Sequence, residues 1–343
     1  MSDLRVSRSM TGDGGAGWLN LFPFRNKKNP ARAYRKHNRA RGLSILPEDA
    51  ERLIDDTIIA VGTDRLVVVR DIMEAGLVTP LPQWLSIMRL DGYRTGISGN
   101  ARQIMHLGAR TERHLPEMDK VGVPIYATES GFELDVRTLA VSERVGMPLD
   151  STLYENSTRA VNETIEYGAI NGAVTEEGYE SPGLFNAPGV GDYSFTDGKA
   201  WDDPTKTPAG IVADVLGMSG ELADDKKPGP YILWLPRNFN RILDEDYATP
   251  AGTVITIRQR LELIKPDGIR PIKISVPDLF PTDKLVMAQL SKETMDVIVG
   301  QEPEQISWAD PSGRALSFAV TACIVPRFRD DFDGKSGILV GHA

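Results

Sequence analysis

The sequence predicts an α+β fold preceded by an extended arm. Three observations lead to this prediction: a basic, glycine-rich segment over residues 1 to 45, one long helical pattern beginning near residue 151, and alternating short strands and helices after residue 206. The 343 residues are 41% hydrophobic and 25% charged, which is ordinary globular composition. The chain is therefore long enough to bury one large core or two modest ones.

The arm carries a concentrated positive charge. It holds a basic run without an acidic residue, made of Arg25, Lys27, Lys28, Arg32, Arg35, Lys36, Arg39 and Arg41. The rest of the chain has 31 basic and 48 acidic residues. We expect the run to contact DNA, a scaffold or a neighbouring copy. An aromatic and apolar cluster precedes it, from Trp18 to Phe24, which we expect to dock on a neighbouring surface.

Two short amphipathic helices are predicted after the arm. The first begins at Pro47 and runs to Val61. The second takes Thr63 as its N-cap and ends at Gly76. Its predicted buried residues are Leu66, Val69, Ile72 and Met73.

Residues 84 to 130 predict a long two-stranded excursion. Strand-like flanks, Trp84 to Leu90 and Val121 to Ala127, enclose about thirty residues with several glycines, which is too long for a structureless loop. An isolated hairpin is only marginally stable in water, so we expect a sibling copy to complete it. The predicted contact residues are Trp84, Met88, Arg94, Arg102, Arg110 and Lys120.

The strongest helical pattern follows. It begins at Asp150 or Ser151 and continues to about Ala173, roughly 35 Å at 1.5 Å per residue. One face repeats at helical spacing, with Tyr154, Val161, Ile165, Gly168 and Gly172. We expect Tyr154, Val161 and Ile165 to contact sibling copies. A turn-rich segment, 181 to 191, ends this part of the chain.

A compact α/β region is predicted after a polar linker over residues 192 to 206. Thr207 and Pro208 start a helix whose inner face holds Ile211, Val212, Val215 and Leu216. A short helix is expected from Pro236 to Leu243. The predicted strands are Tyr231 to Leu235, Ile272 to Val276, Leu285 to Leu290, Val297 to Val299, Ala315 to Val325 and Ile338 to Val340.

The sequence offers no constellation for catalysis or for a cofactor. Its one cysteine, Cys323, stands in an apolar stretch typical of a core, and the scattered histidines lack metal-ligand spacing. There is no phosphate-binding loop or nucleophile elbow. The acidic segment Asp330 to Gly334 lacks the ligand alternation of a calcium loop. We therefore predict no enzyme activity, catalytic residue, metal or cofactor, and, without a long apolar run, no membrane partner.

The order of these parts resembles the Hong Kong 97-like major capsid fold of tailed phages, in its encapsulin-like families. Short motifs strengthen the resemblance, with Phe185 standing where those families commonly have leucine. They are Leu134 to Leu139, Gly146 to Asp150, Gly183 to Gly189, Val297 to Glu302, Phe318 to Val320 and Ile324 to Arg327.

The resemblance implies a domain plan. It places an N-arm at 1–45, P-domain helices at 46–83, an E-loop at 84–130, and a P-domain with a spine helix at 131–200. An α/β A-domain is expected at 201–314 and returning P-domain strands at 315–343. Relatives that crosslink use an E-loop lysine. Lys120 is the single lysine between residues 84 and 130, and it has no matching acid–base arrangement, so we expect no crosslink.

The resemblance also implies a mechanical function. The chain would assemble with itself, as pentamers and hexamers, into an icosahedral shell around phage double-stranded DNA that is bound without sequence specificity. Portal and scaffolding or decoration proteins are expected partners, with assembly into the virion in the host cytoplasm. Two alternatives remain at this point: the shell of an encapsulin nanocompartment, and a DNA-binding protein that uses the basic arm.

Overall fold

A computed structural model describes residues 66–95, 118–138, 149–248, 254–266, 268, 270–309 and 314–343. The whole arm, the first predicted helix, Arg102 and Arg110 lie outside these residues. The chain divides into two compact units. Among the described residues, the first consists of 129–138, 149–161, 303–309 and 314–321, and the second of 66–95, 118–128, 162–248, 254–266, 268, 270–302 and 322–343.

The described helices are α1 (Val68–Glu74), α2 (Leu149–Asn171), α3 (Pro208–Asp224), α4 (Arg237–Ile242) and α5 (Ile257–Glu262). Single 3₁₀ turns occupy Trp84–Ser86 and Thr196–Gly198.

The strands in the described part of the chain are β1 (Val78–Pro80), β2 (Arg89–Thr95), β3 (Met118–Pro124), β4 (Thr128–Asp135), β5 (Ala173–Val174), β6 (Glu180–Ser181), β7 (Gly191–Ser194) and β8 (Tyr231–Trp234). They continue with β9 (Asp246–Ala248), β10 (Val254–Thr256), β11 (Lys273–Ser275), β12 (Lys284–Gln289), β13 (Met295–Ala309), β14 (Ala315–Phe328) and β15 (Ile338–His342). The mixture confirms the predicted α+β class.

In the first unit, an aromatic cluster packs between β4, β14 and α2. The ring centroids of Phe132 and Tyr154 are 5.0 Å apart, and those of Phe132 and Phe318 are 5.2 Å apart. Tyr154 meets Phe318 edge-on at 5.6 Å. Such pairs add to the stability gained by burying aromatic surface. The first turns of α2 are thus fixed by an aromatic core.

The second unit is built around a sheet whose described strands follow the order β11-β8-β12-β15-β7. β8 pairs parallel with β11 and antiparallel with β12, while β15 pairs antiparallel with β12 and parallel with β7. Every residue of β8 is buried. The inner faces of α3, α4 and α5 pack on this sheet in one apolar cluster, which includes Val215, Phe239 and Leu261.

Two of these strands fall outside the predicted A-domain limits. β7 and β15 were predicted to belong to the flanking P-domain segments, 131–200 and 315–343, yet both pair within the sheet that contains β8. The reason is that β15 supplies the ladder partner that β12 needs on its second edge. The predicted limits 201 and 314 therefore cut through a single sheet.

The α3 prediction is confirmed in its start and wrong at one position. Thr207 caps the helix by accepting a 3.1 Å hydrogen bond at Oγ1 from the Gly210 amide, and Pro208 occupies the first turn. Ile211 and Val215 are buried as expected, but Leu216 is 46% exposed. The buried line runs through Val215, Met218 and Leu222, so position 216 points away from the sheet.

The helix before the hairpin also agrees with its pattern. Leu66, Val69, Ile72 and Met73 are buried, although α1 itself begins only at Val68. It ends before Gly76, whose φ of 76° is the left-handed conformation of a C-terminal glycine.

The strand predicted from Trp84 to Leu90 is wrong in its first half. Residues 84–86 form a 3₁₀ turn and β2 begins at Arg89. The Trp84 ring lies against Gly300, where an added Cβ would come within 2.7 Å of Trp84 Cγ. The turn places the indole on β13. Residues 84–86, which had been predicted as the start of the strand, therefore belong to this turn.

The motif Gly183 to Gly189 closes the carboxyl end of α2. The Leu184 and Phe185 amides donate to the Ala169 and Ile170 carbonyls at 2.8 and 3.1 Å, satisfying acceptors that the helix leaves free. A Cβ on Gly183 would lie 2.1 Å from the Gly172 amide nitrogen, so only glycine fits this approach. Among the described residues, no helix is both long and apolar enough to cross a membrane.

Candidate functional site

The hairpin formed by β2 and β3 is the first candidate contact surface. Seven residue pairs match in antiparallel register, from Arg89 opposite Pro124 to Thr95 opposite Met118. Because paired residues share a face, the register divides the hairpin into two faces of different chemistry. The inner face holds Leu90 and Arg94 of β2 and Val123 of β3. The outer face holds the residues that alternate with these, among them Tyr93 and Met118.

The inner face is attached to its own chain. Val123 is buried with Ile298 and Val325, and Leu90 packs against the same cluster. This small apolar contact holds the base of the hairpin.

Arg94, predicted to contact a sibling copy, has its charge occupied within its own chain. Its guanidinium forms ion pairs with Asp330 and, at 3.1 Å, with Asp119. Hydrogen bonding to Asp119 and attraction to Asp330 raise the pKa of Arg94. The physical reason is geometric: position 94 lies on the inner face, towards the loop that contains Asp330. We therefore assign Arg94 to anchoring the hairpin.

The outer face is exposed and mixed in chemistry. Asp91 pairs with Lys120 at 2.6 Å and with Arg89 at 3.0 Å, and the hydrogen bond from Lys120 is the main reason that the pKa of Asp91 is lowered. The Arg89 side chain lies over Gly122, which leaves room for it. Lys120 is exposed, as its predicted contact role requires, but its ammonium group already has a carboxylate partner.

Large apolar side chains stand in water along this hairpin. Met88 is 89% exposed, Tyr93 71% and Met118 61%. Leu85 and Val121 are exposed as well. Apolar surface concentrated in this way is typical of an interaction site. Of the predicted contact residues that the structure describes, Met88 is the most exposed, whereas Trp84 is half-buried against Gly300.

The long helix α2 does not present the residues that were predicted to contact siblings. Tyr154, Val161 and Ile165 are 0%, 1% and 4% exposed, all covered by their own chain. The prediction was wrong because the apolar stripe of an amphipathic helix goes first to the core of its own subunit. The exposed face of α2 is instead largely polar, with Asn156, Arg159 and Tyr167.

Glu166 is a structural residue of α2 that the sequence reasoning missed. Its carboxylate is buried and accepts hydrogen bonds from the amides of Val67 at 3.1 Å, Val68 at 2.7 Å and Val69 at 3.3 Å. These amides begin α1, whose own N-cap position, Val67, offers no side-chain acceptor. Burial raises the pKa of Glu166 to about 7. Glu166 is not on the stripe defined by Tyr154, Val161 and Ile165, so the helical pattern gave no signal for its burial.

Neighbouring charges connect α1 to the sheet. Asp71 accepts from the Trp234 indole at 3.0 Å and from the Lys273 ammonium group at 2.8 Å. Asp71 is 2% exposed, so leaving it unpaired would be costly. The helix that precedes the β2–β3 excursion is therefore held by two buried carboxylates, Glu166 at its amino end and Asp71 in its first turn.

The described residues contain no group of three or more metal-ligating side chains. Cys323 is buried beside Gly300, and burial raises its pKa to about 12, so its thiol stays protonated at neutral pH. The acidic segment 330–334 forms a turn whose carboxylates pair with Arg94 and Lys227. These side chains serve the fold.

Solved structures with the same architecture are shell proteins by their descriptions. The capsid protein of Myoviridae phage XM1 superposes with a TM-score of 0.63 at 11% identity, over 82% of this chain and 94% of that one. The virus-like particle of Pyrococcus furiosus gives 0.54 at 15% identity, over 84% and 98%. The capsid of a native GTA particle gives 0.51 at 10%, over 77% and 86%. The chain has the Hong Kong 97-like fold.

Sequence comparison adds a family. Residues 41–341 match the family described as "Family of unknown function (DUF6260)". No protein of curated function matches the sequence.

Proposed function

The chain belongs to the DUF6260 family, and we propose that it is the major capsid protein of a tailed phage, which assembles with itself into an icosahedral shell around double-stranded DNA. The fold supports this proposal, since it matches the capsid of phage XM1 over 82% of this chain and 94% of that one. The role proposed is mechanical, without a catalytic step.

The observation that carries the proposal is the outer face of the β2–β3 hairpin. Tyr93 and Met118 share this face, and Met88 lies just before β2. Covering apolar side chains stabilises by about 25 cal/mol for each Å² removed from water. A surface that the chain leaves open and that a repeated partner can cover favours self-assembly.

Shell assembly also gives roles to the remaining expected partners. We propose pentamers and hexamers of this chain, a portal and scaffolding or decoration proteins, and packaging of DNA without sequence specificity. Arg25 and the seven other basic residues of the arm would supply contacts to phosphate, to a scaffold or to a neighbouring copy. Assembly would take place in the host cytoplasm and the product would be part of the virion.

Electron microscopy of the purified full-length chain tests the proposal. We expect closed particles of uniform diameter, alone or with a co-expressed scaffold. Monodisperse monomers under all assembly conditions would contradict it.

One further observation favours a second function, a protein nanocompartment. The chain matches the Pyrococcus virus-like particle over 98% of that chain. The contents of particles purified from the native host separate the two functions: nuclease-protected double-stranded DNA supports a phage capsid, and enclosed protein without DNA supports a compartment.

A further inference from the structure

An acidic and aromatic surface lies at the carboxyl end of α2. From residue 160 to residue 198 the chain contains seven acidic residues and no lysine or arginine. The β5–β6 hairpin stands in the middle of this stretch, with Val174 paired to Glu180 and Ala173 to Ser181. We group the exposed side chains of this hairpin with exposed Tyr167, from the last turns of α2, and name them the α2-end patch: Tyr167, Val174, Glu176, Glu177, Tyr179 and Glu180.

The patch combines exposed apolar side chains with carboxylates that have no ion-pair partner among the described residues. Tyr167, Val174 and Tyr179 are 57%, 71% and 64% exposed. Glu176, Glu177 and Glu180 are exposed too, and none of the ion pairs in the described part of the chain includes them. Three carboxylates that repel each other beside uncovered aromatic rings would be stabilised by a cationic, aromatic ligand.

The turn that presents the patch is fixed by hydrogen bonds. The Thr175 amide donates to the Tyr179 carbonyl at 2.9 Å, and the Tyr179 amide donates to Thr175 Oγ1 at 3.1 Å. Gly178 has a φ of 84°, which favours glycine. A preformed turn lowers the entropic cost of binding.

The sequence contains one segment of matching chemistry. Residues 18–24 supply Trp18, Phe22 and Phe24, and residues 25–41 supply eight basic side chains without an acidic one. The aromatic side chains match the uncovered Tyr167 and Tyr179, and the basic run matches the carboxylates in sign.

We propose that residues 18–41 of one copy bind the α2-end patch of a second copy. This inference rests on the proposed shell function, which places copies side by side. Every copy carries both the segment and the patch, so each contact repeats around the particle and the contacts add as linked binding events. The contact would also neutralise part of the negative charge of the body.

Disulfide trapping between different copies tests the proposal in the full-length chain. One preparation carries Phe22→Cys and the other carries Tyr179→Cys; the natural Cys323 is buried and its raised pKa keeps it unreactive. Leu263→Cys is the matched control, because Leu263 is 65% exposed against 64% for Tyr179. The preparations are mixed, assembled and mildly oxidised, and two-chain products are measured on a non-reducing gel.

We expect about tenfold more crosslinked product with Tyr179→Cys than with Leu263→Cys, since docking raises the effective concentration of the thiols. Glu176→Lys with Glu177→Lys in the patch should lower the yield, and Arg25→Glu with Lys27→Glu in the arm of the other copy should restore it. The yield should also fall at 1 M salt, where charges are screened beyond about 3 Å.

Equal yields for Tyr179→Cys and Leu263→Cys would overturn the inference. So would a crosslink that forms within single chains of a separate variant with both cysteines, Phe22→Cys and Tyr179→Cys, while the mixed preparations give no two-chain product. Negative-stain images of the same samples separate the two proposals. Shells without the selective crosslink contradict only the docking of the arm, whereas the absence of shells contradicts the capsid function and with it the basis of this contact.

Discussion

The β2–β3 hairpin and the sheet around β8 differ in how completely the chain covers their faces. Both pair their amides and carbonyls in ladders, but β8 is buried on both faces, with Tyr231 to Trp234 covered along its whole length. The hairpin has one face attached to Val325 and Ile298 and one face in water, where Tyr93 and Met118 are uncovered. One region finishes its core alone and the other leaves apolar surface open.

The difference separates folding from assembly. Residues around β8 contribute to stability in each copy, because their partners belong to the same chain. Residues on the outer face of the hairpin gain little until another molecule covers them. Substitutions around β8 should therefore change the stability of the single chain, and substitutions on the outer face of the hairpin should change assembly.

The largest expected effect is on the sheet. Leu233→Ala, at a fully buried position of β8, should lower the free energy of unfolding by about 2–5 kcal/mol because it removes apolar contacts and leaves a cavity. Chemical denaturation followed by tryptophan fluorescence measures this loss. Met88→Ala, on the exposed side, is the control and should change the same quantity by less than about 0.5 kcal/mol. Equal losses would contradict the division.

A second, smaller effect concerns the buried carboxylate of α2 and depends on pH. The pKa of Glu166 is raised to about 7 from 4.5, so the folded chain keeps a proton that the unfolded chain releases. The stability that this proton contributes is fully present below pH 4.5 and is lost as the pH rises through 7. Among the charged groups near it, Asp71 raises its pKa further.

In the parent chain the free energy of unfolding should fall between pH 5 and pH 8, by about 1.4 kcal/mol for each unit by which folding raises the pKa of Glu166. Glu166→Gln has no titrating group at this position, so this fall should be largely absent. Urea denaturation at each pH measures it, with Glu177→Gln, an exposed glutamate, as the control. An unchanged slope in the Glu166→Gln chain would show that the carboxyl group is already ionised throughout this range.

The sequence was sufficient for the parts of the fold that depend on local signals. Thr207 with Pro208 marked the start of α3, and Gly76 marked the end of α1, because capping chemistry acts over a few residues. The four consecutive apolar residues of β8 indicated a doubly buried strand.

The sequence was insufficient where the partner of a residue lies far along the chain. The stripe through Tyr154 and Ile165 gave the right face of α2, but it could not say whether that face meets its own subunit or another. β15 joins β12 some fifty residues away, which local patterns do not reveal. Glu166 caps a helix about a hundred positions earlier in the chain, and Arg94 pairs with a residue far after it.

A third prediction concerns the anchor of the hairpin. Arg94→Ala removes the ion pairs with Asp119 and Asp330, so the two strands should open more often while the sheet around β8 keeps its stability. Hydrogen exchange should become faster at the amides of residues 89–95 and 118–124 and remain unchanged in β8. Arg89→Ala is the matched control, because Arg89 pairs with Asp91 on the outer face and not with the body. Faster exchange in β8 as well would mean that the hairpin is part of the same cooperative unit.

The smallest expected effect on stability falls on the outer face, and it separates the two regions most clearly. Met88→Ser combined with Tyr93→Ser removes exposed apolar surface without opening a cavity, so the unfolding transition should stay within about 0.5 kcal/mol of the parent chain. If sibling copies cover this face, the same change must weaken every contact of its kind in the particle, and small losses multiply over many identical interfaces. Light scattering should then show a higher concentration threshold for particle formation.

Leu263→Ser, at an exposed position of the other region, should leave both the transition and the threshold unchanged. A double variant that assembles like the parent would mean that the open face of the hairpin is not where copies meet, and the apolar surface would need another explanation.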